Sequence, residues 1–183
     1  MRIAVTGTIG SGKSAVCKYL NLKGYDVFDC DEVNRRLLNE RANELLYSDF
    51  KDCFTNSRLD KKKLSSIVFD CEEERIKLES IMHPEILKEL LERKDDPLFA
   101  EVPLLFEAGW NIYFDESWLV VCDEDIAYER LLERGVENDE ARRRIDVQMS
   151  VEQKIIRADR IIYNNGSKED LYKEIDKLIE GLC

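Results

Sequence analysis

Gly7-Thr8-Ile9-Gly10-Ser11-Gly12-Lys13-Ser14 decides how this 183-residue chain is read. It is a full G-x-x-x-x-G-K-S, and its flanks suit it. Arg2 to Thr6 reads as a short β-branched strand that stops at Gly7, and Lys13 to Lys23 carries Val16, Tyr19 and Leu20 at helical spacing. In a strand, glycine loop, helix sequence, backbone N–H groups turn inward to form an anion nest, and the helix N-terminus adds its partial positive charge. Lys13 is then placed to reach the β- and γ-phosphates, and the Ser14 hydroxyl to ligate Mg²⁺. The motif predicts a nucleoside-triphosphate site and leaves open what becomes of the phosphate.

Working outward, Tyr25 to Asp29 reads as a second strand, which completes a βαβ unit whose strands are parallel neighbours, directly or one strand apart. From Asp31 to about Lys94 no further strand is evident, and the segment reads as helical with a polar break around Thr55 to Ser57. His83-Pro84 predicts a helix break, and this histidine is not assigned to catalysis. Leu98 to Val102, Trp118 to Cys122 and Arg160 to Tyr163 read as three more strands, so the fold class is an α/β, five-stranded parallel sheet flanked by helices. Ile126 to Arg134 and Asp139 to Arg157 read as charged helices. A last helix starts at a capping-box-like Ser167 and Asp170, with Leu171, Ile175, Leu178, Ile179 and Leu182 on one face.

Twenty-eight Lys+Arg against 39 Asp+Glu give a net charge of −11, which excludes proteins that coat nucleic acid or an anionic membrane. No apolar run reaches the roughly 18 residues of a membrane span, and the N-terminus lacks the pattern of a secretory signal. Six scattered cysteines without a C-x-x-C pair fit reduced cytosolic thiols better than zinc or disulfides.

The charge is unevenly placed. Between Arg130 and Arg160 eight basic residues outnumber seven acidic ones. Arg130 and Arg134 share a helix face, and Arg142, Arg143 and Arg144 offer another, suited to surround a transferring phosphoryl group; i,i+4 pairs such as Glu140 with Arg144 are the plainer alternative. Asp29 and Asp31 close the second strand, two apart and on one face while the chain stays extended. At the carboxyl edge of an open sheet, Asp31 suits a general base for an acceptor hydroxyl, or equally the cap of a helix starting near Glu32. Leu98-Phe99-Ala100-Glu101 is an apolar strand ending in an acid that could support Mg²⁺, and Asn164-Asn165-Gly166 reads as a loop leaving the sheet near the nucleotide base.

Taken in order, TGTIGSGKS, VFDCDEVNR, MHPEI, EVPLLFE, RLLERG, RRRIDVQMSVEQK and ADRIIYNNGS resemble the successive landmarks of the dephospho-CoA kinases over nearly the whole chain. The resemblance implies a P-loop core (about 1–30, 95–133 and 158–183), a helical acceptor-binding insertion (about 31–94) and a lid (about 134–157). It implies transfer of the ATP γ-phosphate to the ribose 3′-hydroxyl of dephospho-CoA with Mg²⁺; no obligate protein partner is evident in the sequence. It would place Gly10, Ser11, Gly12, Lys13, Ser14 and Ala15 around the ATP phosphates, Asp31 as base, and Asn165 with Gly166 at adenine. Arg130, Arg134 and Arg144 would act with Lys13 in transfer, Arg144 and Gln148 matching R-I-x-x-Q, while His83 and the segment Pro103, Leu104, Leu105 to Glu107 would line the acceptor site. Thr8 stands where glycine is frequent, and Glu101, where aspartate is frequent, would touch the metal indirectly. The rival readings are a kinase for another small acceptor, such as a nucleoside monophosphate, and a nucleotide-dependent switch, against which no N-K-x-D segment is found.

Overall fold

The structure is a computed structural model and describes residues 1–139, 141–142 and 148–182. In chain order its elements are β1 (Arg2–Gly7), α1 (Lys13–Leu22), β2 (Val27–Asp29), α2 (Cys30–Glu40), α3 (Ala42–Leu46), β3 (Phe54–Thr55), β4 (Arg58–Leu59), α4 (Lys61–Asp70), α5 (Glu72–Glu92), β5 (Leu98–Glu101), β6 (Glu116–Val121), α6 (Glu124–Glu133), α7 (Val151–Ile155), β7 (Arg160–Tyr163) and α8 (Lys168–Glu180). They fall into two compact units, Met1–Asp29 with Lys94–Cys183, and Cys30–Arg93.

The first unit is built on a five-stranded sheet in the order β2-β5-β1-β6-β7, with every pairing parallel. β2 and β1 are thus one strand apart, the second of the two arrangements the βαβ reading allowed. β1 is buried on both faces, as a central parallel strand covered by helices must be. Ile3, Val5, Val16, Leu20, Phe99, Trp118, Val120, Ile162, Leu171 and Ile175 form its core, with the Phe99 and Trp118 rings meeting edge to face. α8 starts with the expected capping box: Asp170 N–H donates to Ser167 Oγ, and Ser167 N–H donates to Asp170 Oδ2. The register sets Asp29 beside Glu101, and so places two carboxylates together at the carboxyl edge, where open α/β sheets bind ligands.

The second unit packs α2 to α5 around Leu37, Leu46, Phe50, Leu64, Met82, Ile86 and Leu90. Two expectations fail here. The segment holds a small antiparallel hairpin, β3 with β4, where the sequence reading had no strand. Asn56 and Ser57, both at positive φ (50 and 60), make the two-residue turn whose twist suits a hairpin. The break expected at His83-Pro84 does not occur either, since α5 runs through Pro84. An interior proline removes one backbone bond, but Met82, Ile86 and Leu90, four residues apart, bury one continuous face across it. In the first unit, residues 148–150 are not helical, which interrupts the helix expected over 139–157.

Candidate active site

The loop between β1 and α1 is shaped by what presses on it. A Cβ on Gly7 would stand 2.3 Å from the Val120 carbonyl oxygen, one on Gly10 2.6 Å from the Ala127 carbonyl oxygen, and one on Gly12 2.1 Å from Asn164 Nδ2. Gly10 and Gly12 also hold left-handed φ values of 77 and 99, which side-chain-bearing residues avoid. The glycines are therefore needed for close approach on one side and for backbone direction on the other. Lys13 Nζ folds back to donate to the Gly7 and Thr8 carbonyls at 3.0 and 3.4 Å. Its ammonium thus sits against the start of the loop.

Ser14 Oγ donates to Glu101 Oε1 at 3.1 Å, so the first hydroxyl of α1 and the acid ending β5 face each other. Burial pushes the Cys17 thiol beside them well up, with Glu101 adding to the effect as neighbouring charge and hydrogen-bond acceptor. The thiol stays protonated, and the donor pair left is oxygen only, the set that hard divalent cations such as Mg²⁺ prefer.

Three further side chains hold the loop from distant parts of the chain. Arg130, on α6, donates to the carbonyls of Gly10 and Ser11 at 3.3 Å each and to that of Asn164 at 3.0 Å. Buried Asn164 donates from Nδ2 to the Ser11 carbonyl at 2.7 Å. Gln148 Oε1 accepts the Ile9 N–H at 2.9 Å. A cavity of about 240 Å³ opens beside the loop, lined by Thr8, Ile9, Cys122, Ala127 and Gln148 among others.

The structure brings together Gly10 to Ala15, Glu101, Arg130 and Asn164. Arg130 donates to backbone carbonyls of the loop, which puts its guanidinium beside the phosphate-loop residues. Arg134 is exposed at the end of α6, and Arg144 lies outside the described residues. Asn165 pairs with Asp123: Asn165 Nδ2 donates to Asp123 Oδ1 and Asp123 N–H donates to Asn165 Oδ1, both at 2.8 Å. In the segment Pro103 to Glu107, Pro103 accepts from Thr6 Oγ1, Leu105 is buried, Leu104 is exposed, and Glu107 pairs with Lys154. Asp31 is exposed in the first turn of α2, which begins directly at Cys30, so it is helical and does not share an extended face with Asp29. His83 is half-buried on α5, and burial lowers its pKa.

Asn164, Gln148 and Lys154 lie inside stretches already singled out, N-N-G and RRRIDVQMSVEQK, but their contacts with the loop backbone and with Glu107 were not expected. These contacts join segments far apart in the chain, which local spacing does not reveal.

A parallel sheet carrying this loop defines a P-loop kinase fold. Shikimate kinase from Acinetobacter baumannii shares that fold at a TM-score of 0.63 and 17% identity, covering 98% of this chain and 93% of the other. The CoaE dephospho-CoA kinase family profile matches residues 1–170, and the chain belongs to that family. Dephospho-CoA kinase from Fusobacterium nucleatum is 39% identical, covering 100% of this chain and 98% of its own. The structure of dephospho-CoA kinase from Campylobacter jejuni superposes with a TM-score of 0.73 at 29% identity, covering 99% and 96% of the two chains. That of TT1252 from Thermus thermophilus superposes with a TM-score of 0.88 at 34% identity, covering 100% and 98%.

Proposed function

We propose that this chain catalyses the final step of coenzyme A synthesis in the cytosol: transfer of the γ-phosphoryl group of ATP, with Mg²⁺, to the ribose 3′-hydroxyl of dephospho-CoA. The observation that carries the reading is the glycine loop with Ser14 facing Glu101, in a chain matched to dephospho-CoA kinases along its length. The loop N–H groups and Lys13 hold the triphosphate, and when bound, Mg²⁺ would be held by Ser14 with indirect support from Glu101, neutralising phosphate charge. Asp31 takes the proton of the 3′-hydroxyl as its oxygen bonds to the γ-phosphorus. The bond from that phosphorus to the β,γ-bridging oxygen breaks, and ADP leaves with the electron pair. Arg130, Arg134 and Arg144 would meet the charge of the transferring group, Arg130 from its place against the loop carbonyls. The insertion would bind the acceptor with His83 and Pro103 to Glu107. Catalysis then rests on positioning and charge neutralisation.

The test is Asp31→Asn. Turnover should fall by about 10²- to 10⁴-fold, while ATP-analogue binding, read by titration calorimetry, stays unchanged. Near-normal turnover would remove Asp31 from the mechanism. Measuring ADP release with dephospho-CoA, with AMP and with no acceptor checks the substrate in the same assay; comparable rates in all three would mean hydrolysis by a switch.

A further inference from the structure

Lys154 has no side-chain exposure at all, although it belongs to a five-residue helix and lysine ammoniums ordinarily reach for water. Its Nζ lies 2.7 Å from Glu107 Oε1 and makes no directed hydrogen bond among the described residues. Replacing a buried ion pair by apolar groups is commonly neutral or stabilising, so stability alone does not explain an ammonium here. Placement does. Glu107 ends a loop whose start is tied to β1, through Val102 N–H to the Val5 carbonyl and Thr6 Oγ1 to the Pro103 carbonyl. Between these ties Leu105 and Phe106 are buried, and Leu104 is left exposed. The Lys154 pair is the far anchor. Six residues before it, Gln148 accepts the Ile9 N–H of the phosphate loop. One short stretch, 148–154, therefore touches the nucleotide loop at one end and the Pro103 to Glu107 loop at the other.

We propose that Lys154 is a positioning residue for the acceptor: by holding the Glu107 carboxylate it fixes the Pro103 to Glu107 loop in its substrate-binding shape. The inference rests on the proposed role of that loop. Lys154→Met should fold and leave the Michaelis constant for ATP within about twofold, while that for dephospho-CoA rises by about tenfold or more. The pair acts as a unit, so Lys154→Met with Glu107→Gln should be no worse than the more damaging single variant. A purely structural role would instead lower the melting temperature and worsen both Michaelis constants together, and that result, or an unmoved constant for dephospho-CoA, overturns the proposal. If Lys154→Met does not fold, Lys154→Gln, which retains a polar end, is judged by the same readings. Leu104→Ser separates the two levels of argument. If it leaves the dephospho-CoA constant unchanged, the loop is not an acceptor loop and the underlying reading fails; if it raises that constant while Lys154→Met does not, only the inference about Lys154 fails.

Discussion

The phosphate loop and the helical unit of residues 30–93 are held in opposite ways. The loop is fixed by bonds to its backbone from residues more than a hundred positions away: Arg130, Gln148 and Asn164. The helical unit is laced by side-chain ion pairs at its surface, such as Arg36 with Glu89, Arg41 with Glu44 and Glu85, and Arg75 with Glu72. Backbone held by close approach admits few substitutions, whereas exposed ion pairs are worth little individually and can be exchanged.

The largest effect that would test the contrast is Gly12→Ala. The new methyl would overlap Asn164 Nδ2, 2.1 Å away, at a φ of 99. Relief would require Asn164 to release the Ser11 carbonyl, loosening the loop at its centre. ATP affinity should fall by about a hundredfold or more, about 2.7 kcal/mol, through strain and the lost bond. Gly24→Ala is the control, with a similar φ of 91 and open space around the added methyl. It should cost about 1 kcal/mol of stability and spare activity. Equal damage to nucleotide binding from the two would mean that positive φ, and not the contact with Asn164, is what the loop needs.

The same contrast sets how much could be read beforehand. The glycine loop, the five strands and the Ser167 cap follow from local rules, since each needs particular residue types at fixed spacing. The order β2-β5-β1-β6-β7 does not, because strand order depends on pairing between distant segments. Arg130 was visible as an arginine on a helix, but its engagement with loop carbonyls depends on folding that brings α6 against Gly10. Asn56-Ser57 was read as a polar break because β3 and β4, at two residues each, are too short to show alternation. Pro84 misled for a related reason: the local penalty was right, and the buried face running past it outweighs that penalty.

A smaller effect is expected at Arg41, which bridges Glu44 and Glu85 at 2.5 Å each. The guanidinium, foremost by its hydrogen bonds, holds the Glu44 carboxyl below its ordinary range. Both side chains remain substantially open to water, so screening weakens the pairs. Arg41→Ala should lower the melting temperature by no more than about 3 °C, by less in 1 M salt, with the ATP Michaelis constant unchanged. A fall of about 10 °C or more in a thermal scan would mean that the surface network is as exacting as the loop.

The smallest effect concerns His83, the chain's sole histidine. Burial lowers its pKa from the ordinary 6.5, and Glu79 pulls weakly the other way. A depressed imidazole pKa means that the unfolded chain takes up the proton more readily than the folded one. As pH falls below about 6.5, protonation therefore favours unfolding, and stability declines toward the lower folded value. Carboxyls held low by their partners, such as Glu44 and Asp170, lose their contributions further down, below their ordinary values of 4.5 and 3.8. Urea unfolding between pH 7.5 and 5.5 isolates the imidazole, and His83→Asn should flatten the slope there. An unchanged slope would show that burial does not govern the imidazole, and an upward slope on acidification would mean that the charge of Glu79 outweighs burial.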